Sequence, residues 1–586
     1  MPRYVPPLRV LLLTAALLSA CGAAGQPSSG GDSAAPRAAA SEPGGVFGAY
    51  LAGRLAQSET DTRFAADRML EALRVDPDQP ELLAAAFIAA LLDGRPEALR
   101  LARRLPDSQA AMLLLIGAEA QAGRWDRAEA RIRALPRNGP GQIMQPLLLA
   151  WSQQGRGLTD AALGTLRPLA EAGRLRGIHA LHMALIADLA GRPRDAERAI
   201  RTALAETPEP SLRLVQLSAG VLARAGREAE ALRLLEPLGR GPGDFAIAAG
   251  TDQQRRAMLA RRDVSSAAEG VAEAHLALAA ALASQSQGSS SQARRPSTGG
   301  DGALVLARLA LRLRPGFAPT LLLVAQHYAD ERQPEIAFAT LEAVPQGDPL
   351  APVAALRRAI LLDRMDRVPE AEAALRRLAA ELPRAPQPAA RLGDMLRMRT
   401  RFAESASAYD EALERIGPPT TADWPLLYAR GIAFERSGRW ARAEADFQRA
   451  LELSPEQPYV LNYLAYTWVE MGRNLPEARR MLERAVELRP DDGNIVDSLG
   501  WALFKLGDIP GAIRWMERAV ELEPLNSVIN DHLGDVYWAA GRQREARFQW
   551  RRALTQAPEA AEIPGIEAKL RDGLPTTPAA TARRTD

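Results

Sequence analysis

The sequence is poor in the residues that most chemistry needs. It holds one cysteine and five histidines in 586 residues. A lone thiol excludes an intramolecular disulfide, and five scattered imidazoles starve a metal site of ligands. His179 and His182 share a helix face by their spacing, but no His-Glu-x-x-His pattern surrounds them, so they are expected to be a satisfied, partly buried pair. No Gly-x-x-x-x-Gly-Lys-Ser/Thr loop and no Gly-x-Ser-x-Gly elbow occurs, which removes the usual scaffolds for phosphate cradling and serine hydrolysis. Neither charge sign dominates: 73 Lys plus Arg stand against 71 Asp plus Glu, so no global field draws the chain to nucleic acid. Aromatics are only 5%, and the basic run Arg542, Arg544, Arg547, Arg551 and Arg552 lacks an interleaved stacking platform. These absences argue against an enzyme, and no cofactor or metal is expected.

The longest apolar run near the start is Val10 to Leu18, broken only by Thr14 and preceded by Arg3 and Arg9. At 1.5 Å per residue it covers roughly half a hydrocarbon core, too little to span one, so residues 1–20 read as a secretory signal. The segment Leu18-Ser19-Ala20-Cys21 resembles the lipobox of bacterial lipoproteins, which implies acylation of Cys21 and cleavage before it. Gly22, where that resemblance places Asp for retention in the inner membrane, implies the periplasmic face of the outer membrane. Residues 21–45, rich in Gly, Ser, Ala and Pro, are expected to be a flexible lipidated tether.

What the chain has in abundance is Ala, Leu, Arg and Glu, in a pattern that repeats. Pro455, Pro490, Pro524 and Pro558 fall 35, 34 and 34 residues apart, each after a stretch with three- and four-residue apolar spacing. Small residues recur where two crossed helices must touch: Gly431, Ala465, Gly500 and Gly534 on the first helix, Ala443, Ala478, Ala512 and Ala546 on the second. Phe447, Leu482, Met516 and Trp550 fill the gap beyond. Gly438, Gly472, Gly507 and Gly541 end first helices as left-handed caps, and Pro476 and Pro510 open second ones. Weaker versions run upstream, marked by Gly393, Tyr409 and Ala412, by Ala303, Ala307, Ala310 and Pro315, by Gly191, Ala196, Ala203 and Pro208, and by Ala65, Met69, Ala72 and Pro77. The expected fold is an all-α solenoid of about thirteen or fourteen antiparallel helix pairs. Residues 46–240 form a first array, 241–301 an irregular connection with a Ser-rich loop and a division of the solenoid, 302–560 a second array, and 561–586 a tail.

This register resembles the tetratricopeptide-repeat family. The resemblance implies that the first helix of each pair lines an inner groove. Its exposed stripe contains Tyr428, then Asn462 and Tyr466, then Asn494, Asp497, Trp501 and Phe504, then Asp531, Asp535 and Trp538, with His532 beside it. Such a mixture of rings, amides and carboxylates suits an extended or helical peptide. Two readings stay open for Trp501, Phe504 and Trp538: groove lining, or packing against the neighbouring repeat. Asn462 and the aspartates are the better groove candidates, because an unpaired carboxylate is costly inside a stack. The stripe departs from the family's carboxylate clamp, which needs Lys, Arg and Asn together at these places.

The mature chain further resembles bacterial tetratricopeptide lipoproteins, in particular the long outer-membrane adaptor of a periplasmic carboxyl-terminal processing protease. That likeness implies a non-catalytic scaffold that binds envelope proteins, membrane-held through Cys21, with no nucleic-acid partner. Assembly of a pilus secretin, polysaccharide export and glycan handling are the alternatives that it leaves open.

Overall fold

A computed structural model describes residues 45–136, 139–173, 175–207, 209–240, 243–287 and 298–574. The signal segment 1–20, Cys21 and the tether to residue 44, part of the Ser-rich loop (288–297) and residues 575–586 lie outside the described residues, as does Pro208.

Local sequence explains the helices. In Ile509–Leu522, the Asp508 carboxylate accepts the Gly511 N–H at 3.0 Å and Pro510 occupies the first turn, where its missing donor is harmless. Ala512, Met516, Ala519 and Val520 then lie on one buried stripe. The preceding residue, Gly507, has φ +84°, the left-handed turn expected of a helix stop. A Cβ on Gly500 would sit 2.9 Å from Met516, and one on Gly431 2.6 Å from Phe447, so those two helix pairs cross at backbone contact.

Thirty-one such helices, and no strand, occur among the described residues. Six antiparallel pairs come first: α1 (Val46–Ser58) with α2 (Thr62–Val75), α3 (Pro80–Leu92) with α4 (Glu97–Ala102), and α5 (Gln109–Gln121) with α6 (Trp125–Arg133). They continue with α7 (Gly139–Gly155) and α8 (Thr159–Ala172), α9 (Arg176–Leu189) and α10 (Pro193–Ala205), and α11 (Leu212–Arg224) and α12 (Glu228–Arg240). Two short helices follow, α13 (Ala246–Ala249) and α14 (Asp252–Ala260), then a long pair, α15 (Ala267–Gln287) and α16 (Thr298–Leu313). The next pairs are α17 (Ala318–Asp330) with α18 (Pro334–Glu342), α19 (Ala351–Arg364) with α20 (Val368–Glu381), and α21 (Gln387–Met398) with α22 (Phe402–Ile416). Then come α23 (Trp424–Arg436) with α24 (Trp440–Leu453), α25 (Pro458–Glu470) with α26 (Leu475–Leu488), α27 (Gly493–Lys505) with α28 (Ile509–Leu522), and α29 (Ser527–Ala539) with α30 (Gln543–Thr555). A last helix, α31, spans Ile563–Asp572.

The pair α15/α16 does not simply continue the stack. It lies across first helices of the N-terminal pairs, α15 against α5, α7 and α9, and α16 against α3 and α5. Its inner residues Val271, Ala274, Leu278, Ala279, Leu306 and Ala307 are buried in the same core as theirs. Gly270 abuts the Trp151 indole so closely that a Cβ would overlap the ring. The inner face of the N-terminal arc is therefore filled by the chain itself. The arc also closes on its own beginning: Thr62 bonds the Tyr328 hydroxyl at 3.1 Å, and Gln333 donates to the Glu59 carbonyl at 2.6 Å.

Two expectations about organisation are corrected by this arrangement. The stretch 241–301 is not an irregular divide, because α15 and α16 extend into the expected loop from both sides and one continuous core runs from Ala49 to Ala408. The core changes instead at α21/α22, where a second cluster begins with Ala406 and Tyr409 and ends at Ile566. The tail assigned from 561 contains α31, whose Ile566 is buried in that second core. The sequence pattern missed it because a single helix after the last proline carries no repeat partner.

If α15 plugs the arc, Gly270→Val should lower unfolding stability by about 1–3 kcal/mol through overpacking against Trp151. Gly164→Ala is the control: it lies inside α8 with open space around it and should stabilise by up to about 1 kcal/mol. Urea denaturation of the two variants beside wild type gives both values.

Candidate functional site

In the second half the first helices stand side by side, α21 with α23, α25 with α27, and α27 with α29. Successive pairs place Tyr428, Asn462, Asp497 and Asp531 at equivalent positions, with Tyr466, Trp501 and Asp535 one turn further along α25, α27 and α29. The structure thus brings the predicted stripe together, but it also shows how much of it is already engaged.

Asp497 is 5% exposed and accepts from His532 Nδ1 at 2.9 Å. Trp501 is 8% exposed and stacks on the same imidazole, with centroids 4.1 Å apart and planes 17° from parallel. Its Nε1 donates to Glu470, and Lys505 Nζ lies 4.9 Å from its ring. Asp531 and Asp535 both accept from Lys569 of α31, at 2.7 and 2.8 Å, and Trp550 Nε1 also donates to Asp535. Trp538 is half-buried, close to Trp550 and to the Arg547 guanidinium. The three carboxylates are thus tied into the stack through partners two helices further along, His532 of α29 and Lys569 of α31, and Trp501 follows the second of its two readings. Their cost of burial is met by cations that spacing alone did not pair with them.

What remains reachable lies further upstream. Tyr428 is half-buried among Trp424, Phe447 and Tyr463, and burial pushes its hydroxyl up to about 12. Asn462 and Tyr466 are half-buried, and Asn462 Oδ1 has no hydrogen-bond partner among the described residues. Burial, then the charges of Glu470 and Asp497, raise the Tyr466 phenol and keep it a neutral donor. Asn494 is exposed, donating to Glu523 at 2.9 Å, and Phe504 is half-buried beside Trp501.

At α21 and α23 the inner face opens into a cleft of about 1030 Å³. Its floor is Gln387, Ala390, Arg391 and Asp394 of α21 with Leu426 and Ala429 of α23; its opposite wall is α13 and α14, with Ile247, Gln253 and Ala257. Arg391 spans the two sides, donating to Asp244 at 3.0 Å. Gln387 Oε1 is shielded from solvent and without a partner among the described residues. Such a cleft offers apolar walls and a few amide and charged groups, the mix that holds an extended segment. Counting back from Gly393 as from Gly431 reaches Ala390 as the equivalent of Tyr428, so the floor was within reach of the repeat register. The wall comes from a stretch that matches no repeat and gave no signal.

The histidine pair is structural. His182 is fully buried and accepts from Trp151 Nε1 at 3.0 Å; burial, then the nearby His179, pull it down to about 3. His275 is also buried, donating to the Val271 carbonyl at 2.8 Å, and burial lowers it to about 4. No cluster of three or more His, Cys, Asp or Glu poised for a metal occurs among the described residues. No helix among them is long and apolar enough to cross a membrane.

Two family models, both described as tetratricopeptide repeat, match residues 424–457 and residues 356–419 and 469–527. A TPR repeat-containing protein of Pseudomonas aeruginosa is 33% identical over 87 residues, 15% of this chain and 15% of that protein. A tetratricopeptide repeat protein from Parabacteroides merdae is 15% identical in its crystal structure, covering 42% of this chain and 95% of that one at a TM-score of 0.35. The Cut9–Hcn1 hetero-tetramer of the APC/C is 13% identical, covering 90% and 96% at a TM-score of 0.37. Superpositions this loose carry no argument about partners.

Opposite pH trends are expected in the two halves. Burial disfavours the charged form of His532, but the charge and hydrogen bond of Asp497, with Asp531 and Asp535 beyond, outweigh it and raise its pKa. A raised histidine contributes stability in full below about 6.5 and loses it as pH climbs through the folded value. His182 and His275, held low, contribute above about 6.5 and lose it as pH falls. Hydrogen exchange, corrected for its intrinsic pH dependence, should show α27–α31 tightening and α7–α9 and α15 loosening on acidification through about pH 6. His532→Gln should flatten only the first trend.

Proposed function

We propose that this chain, a solenoid carrying tetratricopeptide repeats in its second half, is a non-catalytic scaffold lipoprotein of the bacterial envelope. Acylated on Cys21 and held on the periplasmic face of the outer membrane, it gathers a complex such as a carboxyl-terminal processing protease with its cell-wall hydrolase substrates. The observation that carries the binding role is the open cleft between α14 and α21/α23, in a molecule whose other inner face is filled by α15/α16. A scaffold needs an unfilled concave surface with unmet hydrogen-bonding groups, and Gln387, which lines this cleft, carries one. The envelope address rests on the lipobox-like Leu18–Cys21 and on Gly22. Two bound partners are joined by raised effective concentration, which requires no chemistry from the scaffold itself.

Ala390→Trp places an indole on the cleft floor at a half-buried position and should leave the fold intact. Capture of the envelope partner, read by cross-linking and mass spectrometry from the cell of origin, should fall about tenfold or more, a loss of ~1.4 kcal/mol. Undiminished capture would remove the cleft from the function. Cys21→Ala should lose incorporation of a palmitate analogue, and the purified protein should leave isolated cell wall undigested.

A further inference from the structure

The two ends of the solenoid are finished differently. At the far end α31 buries Ile566 against the stack and turns Glu567, Arg571 and Asp572 to solvent, as a terminal cap should. At the near end α1 is inside out. It packs on α2 through small residues, Ala49, Gly53 and Ala56, with Gly53 lying against Met69. Its large side chains face away: Phe47 is 81% exposed, Leu51 61% and Leu55 59%. Spaced at four residues, these three form one apolar stripe, with the exposed Arg54 beside it. The helix holds no acidic residue.

We propose that this stripe docks α1 on the surface of a phospholipid bilayer, laying the first hairpin against the membrane that holds Cys21. The inference rests on lipidation at Cys21. Val46 follows that thiol by 25 residues. Even fully extended, 25 residues span at most about 90 Å, which holds α1 at raised local concentration near the headgroups. At that concentration a short helix with three large apolar groups partitions into the interface even if it binds weakly when free. An arginine without acidic neighbours on α1 complements anionic headgroup phosphates. Docking would fix the height and orientation of the N-terminal end of the solenoid.

The test uses the lipidated full-length mature protein in vesicles of phosphatidylethanolamine and phosphatidylglycerol, compared with Phe47→Ser/Leu51→Ser/Leu55→Ser. Both proteins should float with the vesicles through the lipid. Amide exchange over residues 46–58 should be slowed about tenfold in wild type relative to the triple variant, and not in vesicle-free detergent solution. Flotation of both with equal exchange over α1 overturns docking and leaves lipidation standing. Failure of wild type to float overturns the lipidation reading and the docking with it. Protection that appears without vesicles and grows with protein concentration assigns the stripe to a second copy or another protein surface, and likewise overturns the proposal. Unchanged exchange over α27–α31 in the variant shows that the fold survived.

Discussion

A first helix can meet its partner only where one of the two gives up its side chain. Gly431 against Phe447 and Gly393 against Tyr409 show the constraint: a Cβ on either glycine would lie 2.6 Å from the ring. The pairs therefore cross at a fixed short distance, and each pair is too thin to bury its own apolar face. The remaining surface must lean on the next pair. Curvature, a continuous core and the need to finish both ends follow from that incompleteness, which is why α31, α15/α16 and α1 are the informative departures from the repeat. The first covers an open face and the second fills a concave one. The third leaves large apolar groups uncovered.

Charge pairs between successive helices fix the register of the stack rather than supply most of its stability. Asp497 of α27 with His532 of α29, and Asp531 and Asp535 of α29 with Lys569 of α31, repeat one relation: a carboxylate meets a nitrogen donor two helices further along the chain. Arg213 of α11 does the same for the plug, donating to Glu273 of α15 and to Asp263. Desolvation offsets much of the attraction in such places, but a slip of one turn would strand a buried carboxylate at a cost of several kcal/mol. Lys569 is one of only two lysines in the sequence. Its single compact ammonium reaches two carboxylates that are one turn apart on α29, a geometry that suits a rotatable point donor better than a planar guanidinium.

The repeat was legible where every unit carries the same small, large and breaker residues. Ala443, Ala478, Ala512 and Ala546 are all fully buried, and Gly438, Gly472, Gly507 and Gly541 all have positive φ. These positions are set by contacts within one hairpin, so 34-residue periodicity reports them directly. The repeat register places the stripe residues at equivalent positions on successive first helices, but their partners were not legible, because His532 and Lys569 lie two helices further along and obey no pairing rule of spacing. The α15/α16 plug was less visible still. Its helices pass the local test for a repeat, yet where they pack depends on the curvature of the preceding helices, a property summed over the arc and carried by no short motif.

The cleft lies where those two kinds of order meet. Its α14 wall contributes Met258 and Leu259 to the first core, while α23 contributes Leu427 and Phe434 to the second. Within either core the hairpins are locked by side chains packed at crystal-like density, so a change of groove width there would open voids along many contacts. Between the cores the cleft separates α14 from α21 and α23, and across it Arg391 reaches Asp244 at 3.0 Å through a partly exposed ion pair. The cleft is thus lined from both cores, which gives the junction a different physical character from the stripe along α27–α29, where Asp497, Asp531 and Asp535 are already held by His532 and Lys569.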